Sequence, residues 1–165
     1  MLPEITIDPN WYQARGGKTP WNPSKTATAR VPLDNHLPPP EVCPYCGSAC
    51  TVKHHEQVYG MVYGDWPWMY SCTGCDARVG MHPFTSIPLG SLADGTLRRQ
   101  RIKAKEAWTE FTWRIIDRKS SVKPRTQAYQ WLARQLRIDV SDCHFGRFDL
   151  DTCDAVVAIC NSERK

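Results

Sequence analysis

The sequence predicts an α+β chain. An irregular Pro-rich arm spans residues 1–40, a β unit of short strands spans 41–90, and a basic helical part of three helices, packed on that unit, spans 91–165. Three observations carry this. Four of the eight cysteines form two C-x-x-C pairs on either side of strand-forming residues. Apolar residues from Ala93 onward recur every three or four positions, the period of a helix with one buried face. Prolines at 3, 9, 20, 23, 32 and 38 to 40 remove backbone donors from the first forty residues and favour extended chain.

In the arm, Trp11, Tyr12 and Trp21 are apolar anchors expected to pack on the domain; the alternative is an arm that orders on a partner. From Val42 to His82 the signals are those of short strands. Thr51 to Val62 holds β-formers with polar alternation, Gly60 and Gly64-Asp65 punctuate turns, and Trp68 to Cys72 reads as a second strand. Arg78 to His82 looks like the returning strand, and Ser86 to Gly90 like a loop. Ser91-Leu92-Ala93-Asp94 has capping-box spacing, so a helix is expected from Ser91, with Ala93, Leu97, Ala104, Trp108, Phe111 and Ile115 on its buried stripe. Pro124 suits the first turn of a second helix carrying Ala128, Trp131 and Leu132. A third is expected from about Asp149, with Cys153, Val156, Val157 and Cys160 at i, i+3, i+4 and i+7.

The cysteine pairs carry the chemistry. A C-x-x-C turn delivers two thiolates from one tight loop, and two such turns complete the tetrahedron that zinc prefers. Cys43-Pro44-Tyr45-Cys46-Gly47 and Cys72-Thr73-Gly74-Cys75 are separated by 25 residues, enough for hairpin strands that bring the turns together. The expected module is therefore zinc-ribbon-like, with Zn2+ held by Cys43, Cys46, Cys72 and Cys75. A redox dithiol would need a pair at a helix N-terminus, and neither pair precedes a helical pattern. A catalytic zinc keeps a position open for water, which four thiolates close. Cys50, His54, His55 and His82 are nearby substitutes that the two complete pairs make unnecessary; the histidines read as surface residues of a polar strand. Cys143, His144, Cys153 and Cys160 suggest a second site, but two of them lie on an apolar stripe, so core packing is the expectation.

CPYCG, then WMYSCTGCDARVGMHPFTSIPLGSLADGTLRRQRIKAKEAW, AYQWLARQLRI and CHFGRFDLDTC, resembles a family described as a zinc-finger-containing domain, found mostly in tailed phages and prophages. The resemblance spans roughly residues 42 to 160, about 119 of 165. It implies a small phage-encoded zinc protein whose ligands fall on Cys43, Cys46, Cys72 and Cys75. Family members often carry Gly where this chain has Arg137, which bears on how the second helix ends.

Charge is unevenly distributed. Twelve Lys or Arg lie between Leu97 and Arg137 against Glu106, Glu110 and Asp117, a net of +9, whereas Glu41 to Gly90 carries −2. Four thiolates around one zinc would add about two negative charges to the latter. An acidic partner would meet the helical part first. Arg98, Arg99, Arg101, Lys103 and Lys105 are the expected nucleic-acid contacts, DNA or RNA, with Tyr59, Tyr63, Trp66, Trp68 and Tyr70 available to stack on unpaired bases. The alternative partner is a host protein complex. No phosphate loop, nucleophile elbow or magnesium carboxylate pattern is present, so no enzyme and no small-molecule substrate are expected. With no apolar run of membrane-spanning length and no export pattern at the start, the expected location is cytoplasmic, in the host cytoplasm for a phage-encoded chain.

Overall fold

The structure, a computed structural model, describes residues 19–21, 30–31 and 35–162. Trp11 and Tyr12 lie outside them. The chain divides into two compact units, one ending at Asp94 and one beginning at Gly95.

In the first unit, β1 (Cys50–His54), β2 (Trp68–Cys72) and β3 (Arg78–Gly80) form an antiparallel sheet in the order β1-β2-β3. Cys50, Val52 and His54 of β1 point inward at the strand period of two, while all five residues of the central β2 are buried. The register sets Cys50 opposite Cys72 and Val52 opposite Tyr70. Trp66, Trp68, Tyr70, Ala77, Met81 and Leu92 complete this core. Two of its large polar aromatics bond to nearby carbonyls: Trp66 Nε1 donates to the Thr85 carbonyl at 2.9 Å and the Tyr70 hydroxyl to that of Ser86 at 2.5 Å. The outer edge of β3 is covered by the chain that follows, through pairing of Arg78 with Ala93 and Met81 with Pro88. Trp21 stands edge-on to Trp68, ring centroids 6.2 Å apart.

Two expectations fail here. The strand expected from Thr51 to Val62 ends at His54, and His55–Tyr59 is a single helical turn, α1. Its cap explains the change. The His54 ring accepts from the Glu56 amide, the Gln57 side chain accepts from the His54 amide, and Gly60 closes the turn at φ 72°. His54 is thus a buried capping residue and not a surface one. Likewise Ser91 opens no helix: Ala93 is bridged to Arg78, which holds the chain extended, and α2 begins at Gly95.

The second unit contains α2 (Gly95–Ile115), α3 (Pro124–Leu136) and α4 (Leu150–Ser162), with 3-10 turns at Val140–Asp142 and Phe145–Arg147. α2 buries Leu97, Ala104, Trp108, Phe111 and Thr112 and packs mainly on α4; Ile115, expected on that stripe, is exposed. Thr112 is tolerated inside because its hydroxyl donates to the Trp108 carbonyl at 2.8 Å. Trp108 anchors the core, its ring 4.8 Å from Tyr129 and 5.2 Å from Phe145. α3 starts on Pro124 and ends on Arg137 in the left-handed region, φ 57°, where Arg137 N–H reaches the carbonyls of Ala133 and Arg134. The Asp149 carboxylate accepts from the Thr152 amide at 2.8 Å and starts α4, which buries Cys153, Val156 and Cys160.

Candidate metal centre

The first cysteine turn is a tight loop closed by pairing of Val42 with Ala49. Cys43 N–H donates to the Ser48 carbonyl at 2.8 Å, and Gly47 N–H to that of Cys43 at 2.9 Å. Gly47 sits at φ 74°, which glycine adopts without a Cβ clash and which reverses the chain behind Cys46. The second turn leaves the end of β2: Cys72 N–H donates to the Ala77 carbonyl, and Gly74 N–H points at Cys72 Sγ, 3.2 Å away. Thr73 stitches the two turns together, donating to the Ala49 carbonyl from its amide at 3.0 Å and its hydroxyl at 2.8 Å. Gly74 lies so close to the first turn that a Cβ there would fall 2.9 Å from Ser48 Cβ and 3.3 Å from Cys46 Sγ.

This stitching brings Cys43, Cys46, Cys72 and Cys75 together, with all four sulfurs within 4.8 Å of one another. Cys43 Sγ is 3.6 Å from Cys75 Sγ and Cys46 Sγ 3.4 Å from Cys72 Sγ. A zinc ion with Zn–S bonds of about 2.3 Å holds tetrahedral sulfurs about 3.8 Å apart, so the set fits the ion. Two like charges at about 4 Å repel by about 4 kcal/mol at an effective dielectric of about 20. Four thiolates this close therefore need a divalent cation among them. The thiols differ in readiness to ionise. Hydrogen bonds from the Ser48 hydroxyl and amide, then Cys72, bring Cys46 down to about 6. The Ala77 amide pulls Cys75 down, but loss of solvent and the sulfurs of Cys43, Cys72 and Cys46 outweigh it and push Cys75 up to about 12.

The neighbouring candidates do other work. Cys50 is buried beside the cluster but outside the four-sulfur group, and burial followed by the charge of Cys72, Cys43 and Cys46 pushes it up to about 11. His54 caps α1, His55 Nδ1 accepts from the Tyr63 amide at 3.3 Å, and His82 is half-buried with its carbonyl accepting from Thr85. Cys143, Cys153 and Cys160 are wholly buried in the helical unit, whereas His144 is exposed. Among the described residues the only group of three or more His, Cys, Asp or Glu placed to hold a metal is the four-cysteine one. The partners that position it, Ser48, the Ala49 carbonyl and Gly74, carried no ligand signal in the sequence.

The five basic candidates all lie on α2. Arg99, Lys103 and Lys105 are exposed, and Arg98 is half-buried. Arg101 is half-buried too, and its Nε donates to the Phe148 carbonyl at 2.9 Å, tying α2 to the turn before α4. Of the aromatic residues available to stack on bases, Trp66, Trp68 and Tyr70 are core residues and offer no face to a ligand. Tyr59 and Tyr63 are exposed, 5.3 Å apart and edge-to-face, with the Arg78 guanidinium 5.0 Å from the Tyr59 ring centroid. No helix among the described residues is long and apolar enough to cross a membrane.

Residues 39–163 match the model of a family described as a zinc-finger-containing domain. No curated protein matches the chain, and no solved structure does.

Proposed function

The chain belongs to that zinc-finger-containing domain family, and from this premise we propose a non-catalytic zinc protein of phage type that binds nucleic acid through a basic helical surface. Cys43, Cys46, Cys72 and Cys75 would hold the ion, whose contribution is to fold the first unit. Four thiolates complete its shell, so it presents no open position for chemistry.

The observation that carries the nucleic-acid reading is the charge on α2 and the segment after it. Arg99, Lys103 and Lys105 are exposed along 21 residues of helix, and Arg118, Lys119, Lys123 and Arg125 continue the exposed positive charge beyond it. Phosphate neutralisation by such side chains releases counterions and gives sequence-independent affinity. With about four phosphates engaged, affinity should fall about 100-fold as salt rises from about 50 to about 200 mM. Electrophoretic mobility of labelled duplex DNA, single-stranded DNA and RNA, titrated with wild type and with Arg99→Ala/Lys105→Ala, tests this. No mobility shift at low salt rejects the reading.

A second reading is supported by the segment Tyr59 to Tyr63. Tyr59, Met61, Val62 and Tyr63 are exposed together, and Tyr and Met are enriched where proteins dock. In that reading the partner is a host protein complex, in keeping with a host-takeover or counter-defence role. Capture from a nuclease-treated host lysate, compared with a Tyr63→Ser/Met61→Ser variant, separates the two.

A further inference from the structure

α2 buries only one flank. On the opposite flank Ile102, Glu106, Thr109 and Trp113 follow one another at four, three and four residues, the spacing of a seam between two helices. All four are exposed, Ile102 at 58% and Trp113 at 64%. Ile102, Glu106 and Thr109, with Lys105 and Glu110 beside them, outline a shallow open depression. The Arg118 guanidinium lies 5.5 Å from the Trp113 ring centroid, yet most of the indole remains in solvent.

The pattern is its own complement when reversed. If a second α2 is laid end for end about an axis level with Ala107 and Trp108, Ile102 of one copy falls against Trp113 of the other, and Glu106 against Thr109. Beside the seam Lys103 falls within about 3 Å, along the axis, of the level of Glu110. A two-fold axis makes each contact twice, giving two apolar pairs and two pairs of opposite charge from one helix, against one pair of like charge where the two Glu106 side chains come within about 4.5 Å along the axis. Glu110 already has Arg114 of its own helix at 3.5 Å, and both are well exposed, so Lys103 of the second copy would share or replace that partner. Lys103 and Glu110 of a single helix are seven residues, about 10 Å, apart, too far to pair with each other. Glu106 and Glu110 lie at the middle of this flank and repel phosphate, so nucleic acid is the poorer occupant of it.

We propose that this face of α2 pairs with a second copy of the chain as an antiparallel helix pair, Ile102 against Trp113 and Lys103 against Glu110. The pairing does not rest on nucleic-acid binding. Its test is sedimentation velocity of zinc-loaded, nuclease-treated protein over a concentration series. Wild type should show twice the mass of a single chain, and Ile102→Ser/Trp113→Ser the mass of one chain with unchanged helical circular dichroism. Lys103→Glu and Glu110→Lys, each alone, should weaken association about tenfold, and the double variant should recover it to within about threefold of wild type. A wild type that stays at one chain throughout overturns the proposal. So does a dimer indifferent to loss of Ile102 and Trp113, or a charge swap that fails to restore association.

Discussion

Gly74 shows how little room the metal centre leaves. Its amide points at Cys72 Sγ while its α-carbon abuts Ser48 and Cys46. Gly74→Ala is expected to push the two turns apart and weaken zinc binding at least tenfold, with the first unit destabilised by about 2 kcal/mol, as for other overpacked sites. Competition with a chromophoric chelator measures the first effect, and an affinity equal to wild type would contradict it. The meeting of the four cysteines was legible in the sequence because C-x-x-C spacing is a local property of the chain. Gly74 and Ser48 were not, since what confines them is a loop 26 residues away along the sequence that only the folded sheet brings near. Residue type alone did not separate the aromatics. Trp66, Trp68 and Tyr70 are as suited to stacking on a base as Tyr59 and Tyr63, and only the folded arrangement decides which are buried.

The helical elements followed the periodicity closely, and the failures came at their ends. Pro124 opens α3 as its missing N–H would dictate, and the stripe of α4 is buried at Cys153, Val156 and Cys160. The turn α1 was hidden because His is an uncommon cap, and β-forming residues run straight through it. Ser91-Leu92-Ala93-Asp94 carries a capping spacing that pairing with Arg78 overrides. The end of α3 is instructive. A left-handed residue at this position costs a non-glycine about 1 kcal/mol or more, and Arg137 bears it where the resemblance would have placed Gly. Arg137→Gly should therefore stabilise the helical unit by about 0.5 kcal/mol, once the extra freedom of Gly in the unfolded chain is deducted. Urea denaturation followed by helical circular dichroism reads this directly, and a lower midpoint would contradict it.

At the scale of the whole molecule, two compact units rest on different physics. The first has a three-stranded sheet whose central strand ends in a ligand, so its aromatic core and its metal centre are one structure. The second closes around Trp108, Phe111, Leu132 and Val156 and, among its described residues, has no group of side chains placed to hold a metal. Structural zinc supplies on the order of 10 kcal/mol or more of folding free energy. A strong chelator, or Cys43→Ser, is accordingly expected to abolish the near-ultraviolet signal of Trp66 and Trp68 while most of the 222 nm helical signal persists. Equal loss of both signals would show that the helices depend on the ion as well.

The placement of the eight cysteines has a practical consequence. Cys143, Cys153 and Cys160 are sealed among side chains, the Cys50 side chain is buried at the start of β1, and the other four share one centre in which Cys46 is exposed and Cys75 half-buried. Loaded with its ion, such a chain should react more slowly with alkylating reagents and air than the metal-free chain, and first at the exposed Cys46. Its vulnerability to oxidation should rise when the metal departs and the four thiols are released together.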